Sequence, residues 1–254
     1  LNVVSDYLNA NDFLSESDSI DNKMPIDKEN FFPSNMDANV SMEIKEFRYD
    51  GHSFNDLNAN LVLNKNKLNV SNLNFHHADA PFTGSINLLE LEPEMFNTST
   101  VISCPNLKLS SILKEWDNFD QTVFDSLNTS GSVNVKIKFV APFNLNDGFA
   151  YEKIQSEIDF STKKVRLKNV ESLNELGDYL NHPLARLTVG SQNVDYIKRN
   201  LSDVKINPVK NKILIKDSKV IIPPMNISSS FINLNLNGEH AFTNQIDYYL
   251  SFHL

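Results

Sequence analysis

The sequence predicts a mainly β protein: a curled antiparallel sheet, a half-barrel or groove, built of hairpin repeats with two or three short helices. From about residue 38 onward, apolar and polar residues alternate with a period of two, so each segment has one greasy and one polar face. Asn, Asp, Lys and Gly fill the breaks between segments, as hairpin turns require. A short phrase also recurs, as "NKLNVSN" at 66–72, "KKVRLKN" at 163–169 and "NKILIKD" at 211–217. Each copy reads as the start of a returning strand after a polar turn. A lone greasy-faced hairpin is marginal in water, so several must pair edge to edge.

Taken in order, residues 1–37 hold eight acidic side chains against Lys23 and Lys28, a net of −6 out of −9 for the 254-residue chain. They read as an acidic linker or incoming segment with a helical turn near Tyr7–Leu14; residues 38–254 read as one β domain. Leu57, Ala59, Leu61 and Leu63 alternate with polar neighbours. Leu68 and Val70 resume the pattern after "NKNK", and Leu73 and Phe75 then slip by one, as at a β-bulge. Phe82, Gly84, Ile86 and Leu88 follow, then Val133, Val135, Ile137 and Phe139, then Ile154, Ile158 and Phe160. "YDGH", "NDGF" and "LNGE" are the Gly-centred turns. Leu109, Ile112, Leu113 and Trp116 predict one helix, and Leu173, Leu176, Leu180 and Leu184 another, which Pro183 should stop near Asn181. Residues 192–200 are a third candidate.

Composition narrows the function. With 23 Lys and Arg against 32 Asp and Glu there is no basic stripe, which argues against nucleic acid as a partner. Cys104 is the single cysteine, so a disulfide within the chain is impossible, and it reads as a buried small hydrophobe. His52, His76, His77, His182, His240 and His253 form no metal-ligand spacing and read as solvated or turn residues, with His76 and His77 on opposite faces of a strand. There is no nucleophile elbow and no phosphate-cradling Gly loop. The reading is a non-catalytic protein with no cofactor and no metal. No apolar run reaches the roughly 18 residues of a membrane helix. A chain opening "LNVVSDY" reads as part of a longer one, with any export signal or membrane anchor outside it.

What stands out is apolar surface with few helices to cover it. A sheet with one greasy face must bury it against another sheet, a helix or a ligand. The candidate apolar face comprises Leu57, Leu61, Leu63, Leu68, Val70, Val133, Val135, Ile137, Phe139, Ile158, Phe160, Leu234, Leu236, Tyr248, Leu250 and Phe252. A groove lining and a closed core have the same alternation, so both readings stay open. Lipid acyl chains suit a groove, since each buried CH2 gives about 0.8 kcal/mol. An alternative is a β-sandwich for adhesion or glycan binding.

The stretch "KVIIPPMNISSSFINLNLNGEHAFTNQIDYYLSFHL", 219–254, resembles the end of the AsmA-like C-terminal domain of bacterial, Bacteroidetes-type envelope proteins. "EFRYDGHSFNDLNANLVLNKNKLNVSNLNFHHADAPFTGSINL", 46–88, is similar to the family's preceding unit, and "SDYLNANDFL" to its incoming element. The resemblance implies a periplasmic protein of the Gram-negative envelope, inner-membrane anchored through a segment outside this sequence. It implies a β-groove for phospholipid or another envelope lipid, and a part in lipid transport between membranes and in outer-membrane biogenesis. It implies no catalytic residues, and it leaves open, as an alternative, a structural factor modulating outer-membrane protein assembly without carrying lipid.

Overall fold

The computed structural model describes residues 1–14, 31–32, 36–121, 123–144, 147–179, 182–230 and 233–253. The expected linker over 15–30 lies outside them. The strands are β1 (Asn2–Asn9), β2 (Asp37–Tyr49), β3 (His52–Asn64), β4 (Lys67–His77), β5 (Ala80–Glu92), β6 (Met95–Lys108) and β7 (Thr129–Asn144). After these come β8 (Gly148–Phe149), β9 (Gln155–Lys168), β10 (Asp203–Ile206), β11 (Lys210–Lys216), β12 (Lys219–Ser228), β13 (Asn233–Ala241) and β14 (Ile246–His253). The helices are α1 (Asn11–Leu14), α2 (Leu109–Glu115), α3 (Glu171–Tyr179), α4 (Pro183–Val189) and α5 (Ser191–Leu201). All fourteen strands among the described residues belong to one mixed, unclosed sheet, in the order β1-β2-β3-β4-β5-β6-β7-β9-β11-β12-β13-β14, with β8 on β7 and β10 on β9.

The antiparallel expectation holds from β2 through β6, for β7 with β8, β9 with β10 and β13 with β14, and it fails at the first pair. β1 runs parallel to β2, Asn2 facing Ser41 and Asn9 facing Arg48. A parallel partner needs a long crossover, and the residues between Asn9 and Asp37 supply the length. So residues 2–9 are sheet, and the expected turn near Tyr7–Leu14 is confined to α1. Lys45 pairs with Asp6 at 2.5 Å across this junction.

The chain divides into two compact units. One comprises 1–105, 136–158 and 214–219; the other comprises 106–135, 159–213 and 220–254. In the first, Ile44, Leu57, Ala59 and Leu73 form the core, with Met42, Phe47, Val70 and Phe75 packed on it. Its hairpins follow the sequence. Asp50 (φ 49°) and Gly51 (φ 79°) make the two-residue turn that joins β2 to β3, with Tyr49 facing His52. Two positive φ values in succession are what such a tight turn demands, and Asp-Gly meets the demand at small cost. Lys65 turns β3 into β4, and the predicted bulge sits where the β4–β5 register shifts between Val70 and Leu73, at Asn72 (φ 50°).

In the second unit Leu167, Val170 and Val204 form the core, with Leu173 and Ile206 against it. The three helices α3, α4 and α5 form one insertion between β9 and β10. Val194, Ile197 and Leu201 of α5 are buried, and α3 meets α5 where Gly177 lies against Leu201. Pro183 stops the stripe as expected, α3 ending at Tyr179, but it also starts α4, where a residue without N–H costs nothing. Leu184 therefore leaves the stripe and is exposed, and Leu180 lies outside the described residues.

Three sequence expectations fail here. "STK" before "KKVRLKN" is no turn: β9 runs unbroken from Gln155 to Lys168, with Lys164 (φ 52°) inside it. "DVKI" and "NKILIKD" do not form a hairpin with each other. β10 pairs with β9, Ile206 facing Val165, and the Val209 carbonyl accepts the Thr162 N–H, so the chain continues along the same neighbour. Polar–aliphatic alternation is the same whether a strand goes on or turns back, which is why the phrase misled. "LNGE" is no turn either. Gly238 lies inside β13 and faces Tyr248, while the reversal comes later, near Asn244 (φ 67°).

Candidate functional site

The predicted apolar residues fall in both units. In the first, β3 and β4 set Leu61 opposite Val70 and Leu63 opposite Leu68. Opposed residues of an antiparallel pair share a face, so these four side chains lie together. Leu57 is in the same phase and is buried in the core; Ile137, Phe139 and Ile158 are half-buried. In the second unit, β13 and β14 set Leu236 opposite Leu250 and Leu234 opposite Phe252. Val133, Val135, Phe160, Leu234 and Leu236 are half-buried, and Tyr248 and Leu250 are exposed; the Phe252 side chain lies outside the description. Among the predicted residues whose side chains are described, only Leu57 is buried.

The alternate phase is polar and cross-linked. In the first unit Lys138 Nζ donates to Glu157 at 3.2 Å. In the second, Asn134 Nδ2 donates to Ser161 Oγ at 3.1 Å, Lys212 pairs with Asp159 at 3.6 Å, and Asn134 Oδ1 accepts the Asn106 N–H at 2.9 Å. Two shallow hollows belong with this phase rather than with the predicted face. One of about 380 Å³ is bordered by Lys138, Glu157 and Lys216 together with the aliphatic Val140, Leu214 and Ile215. The other, of about 310 Å³, is bordered by Pro223, Asn237, Glu239, Asp247 and Tyr249. Arg166 and Asp203 form a two-bond ion pair that ties β10 to β9, and the guanidinium's hydrogen bonds hold the Asp203 carboxyl below the usual range.

Three features of the first unit escaped the sequence reading. His77 is buried, not solvated. Its ring stacks on Phe54 at 4.7 Å, its Nδ1 donates to the Ser53 carbonyl at 3.0 Å, and the His52 ring lies 5.8 Å away. His76 is exposed, as the opposite-face expectation requires. Glu90 is also buried, and its carboxylate accepts the Phe31 N–H at 2.6 Å and the Phe32 N–H at 2.9 Å. A buried charge is costly unless hydrogen-bonded, so these amides are what lets Glu90 sit there. Phe31 and Phe32 meet Phe96 edge-on at 5.7 Å each, and Phe96 lies 6.4 Å from Phe143. Both residues were legible. His77 continues the phase of Leu73 and Phe75, and Glu90 that of Ile86 and Leu88.

Cys104 is buried, as expected, and burial pushes its thiol up to about 11. A thiolate is the reactive form, so at pH 8 the native protein should react with a maleimide at least tenfold more slowly than the urea-unfolded chain. Equal rates would mean that the β6 segment opens freely. Trp116, placed by the sequence on the apolar stripe of a helix, instead follows the end of α2. It is partly exposed, with its ring parallel to that of Phe119 at 6.2 Å.

Comparison with protein-family models, with curated proteins and with solved structures finds no match to this chain.

Proposed function

We propose that this chain is a non-catalytic lipid-sheltering protein whose apolar sheet faces hold acyl chains while headgroups stay in solvent. The supporting observation is the incomplete burial of the face that the alternation marks out. Fourteen of its fifteen described side chains keep solvent exposure, against a polar phase that is already paired with itself. Exposed aliphatic area of this kind is stabilised by a tail: about sixteen methylenes would gain on the order of 10 kcal/mol. The resemblance to AsmA-like envelope proteins supports the setting proposed with it. That setting is the Gram-negative periplasm, with an inner-membrane anchor outside this sequence and a role in lipid transport and outer-membrane biogenesis.

The test is organic extraction of the protein purified from a Gram-negative host, with mass spectrometry of the extract. Phospholipid at near-stoichiometric amount is expected. Leu250→Asp is the discriminating variant, because Leu250 is 53% exposed and should tolerate the charge with a stability change below about 1 kcal/mol. Leu61 is less suitable, since it packs against the core of its unit. Loss of lipid from a folded Leu250→Asp protein is the expected result. A lipid-free native protein would sink the proposal and leave the purely structural role in envelope assembly.

A further inference from the structure

Two histidines that stand far apart in the chain meet on one face of the first unit. His52 opens β3 directly after the Asp50–Gly51 turn, and His77 closes β4. The two strands are antiparallel with Asn55 facing His76, so one step further along each strand sets His77 opposite Phe54. His52 stands two residues before Phe54 and therefore on the same face. The two imidazole rings accordingly lie 5.8 Å apart between centres at 80° to each other, and a nitrogen of one is within 4.8 Å of a nitrogen of the other. No short sequence spacing can reveal such a pair, because strand register assembles it.

Each ring has a distinct state. His77 is buried and held against Phe54, and its Nδ1 lies 3.0 Å from the Ser53 carbonyl. A carbonyl oxygen can only accept, so the proton is on Nδ1, and Nε2 carries the lone pair of a neutral imidazole. A histidine that donates its other nitrogen to a backbone carbonyl is the usual form of a metal ligand, because that bond fixes the tautomer and the ring and raises basicity. His52 is only half-buried at the start of its strand, which leaves a path for an ion. Ring packing alone does not explain two imidazoles here. Phe47, Phe75 and Phe82 fill the neighbouring places of the same row of rings, so phenylalanine serves wherever only an aromatic surface is needed.

We propose that His52 and His77 are ligands of a divalent transition-metal site, taking Zn2+ or Cu2+, with water in the remaining positions. Imidazole nitrogen suits these ions, whereas Mg2+ and Ca2+ take oxygen ligands. An ion bound tetrahedrally at about 2.0–2.1 Å from each nitrogen needs the two about 3.4 Å apart. A turn of the half-buried His52 side chain closes that gap, while His77 stays fixed by Phe54 and Ser53. The bound ion clips the start of β3 to the end of β4. The site uses none of the residues of the acyl-chain face, and it stands or falls separately from that proposal.

The full chain, free of any polyhistidine tag, is titrated with Zn2+ and with Cu2+ by calorimetry. One ion per chain is expected, with Kd in the micromolar range and Cu2+ the tighter. Saturating Zn2+ should raise Tm, and Mg2+ should not. Pulsed electron paramagnetic resonance of the Cu2+ form should show nitrogen modulation from two imidazoles. His52→Ala and His77→Phe should each weaken binding by about tenfold or more. His76→Ala, exposed on the opposite face, should leave it unchanged. His77→Phe keeps a ring against Phe54, and circular dichroism checks its fold; if that variant misfolds, the half-buried His52→Ala decides alone. The absence of micromolar binding overturns the proposal, as does binding that survives the His52 substitution or that falls equally in His76→Ala.

Discussion

Replacing Phe96 with alanine is expected to lower stability by about 3–5 kcal/mol, the usual cost of emptying a buried aromatic site. Phe96 is 1% exposed and is the ring that Phe31 and Phe32 approach edge-on. Its loss removes the contacts that Phe31 and Phe32 each make with it, while their contact with one another and the two Glu90 hydrogen bonds remain. The measurement is urea unfolding with the slope compared, since an unchanged slope assigns the midpoint shift to stability. Hydrogen exchange supplies a local check: the Phe31 and Phe32 amides should be protected in the parent and faster in Phe96→Ala and in Glu90→Leu. A stability change below about 1 kcal/mol would mean that the three rings do not pack as described.

Gly238→Ala is expected to cost about 2–4 kcal/mol, combining overpacking with backbone strain. A Cβ at this position would lie 2.3 Å from the Asp247 carbonyl oxygen and 2.7 Å from the Tyr248 Cα, both backbone atoms that no rotamer change can move. Its φ of 154° is also one that side chains with a Cβ rarely adopt. Because Gly238 faces Tyr248, the clash pushes β14 away from β13, and the β14 amides should lose exchange protection first. Wild-type stability in Gly238→Ala, with β14 still protected, would refute the close approach of these two strands.

Much of the fold could be read from local pattern. The period-2 alternation marked out most of the long strands, the Asp50–Gly51 turn followed from its residues, and the phase slip after Val70 located the bulge at Asn72. The same pattern could not tell a turn from a continuing strand. Lys164 passes through positive φ within β9 without reversing it, whereas Lys65 at a similar φ starts the β3–β4 turn. Gly238 misled for the opposite reason: glycine serves close approach within a strand as well as turns. The candidate face was legible as a set of residues, and the β3–β4 and β13–β14 registers bring its members together pairwise. How far each member is buried was not legible, because burial depends on what lies against a side chain rather than on its neighbours in sequence.

The sequence by itself determined the material of this protein: amphipathic strands, the composition of most turns, an acidic lead, and no recognisable catalytic or phosphate-binding motif. Those properties are local, settled by side-chain volume, charge and backbone preference over a few residues. Tertiary structure decided which strands became neighbours, that β1 would pair in parallel, and that Glu90 could be buried beneath two distant amides. It also turned Trp116 from a helix stripe to a partly exposed ring pair and left most of the predicted apolar residues half-buried. Each of these depends on groups brought together from far along the chain, where pairing, burial and hydrogen-bond satisfaction are settled jointly rather than residue by residue.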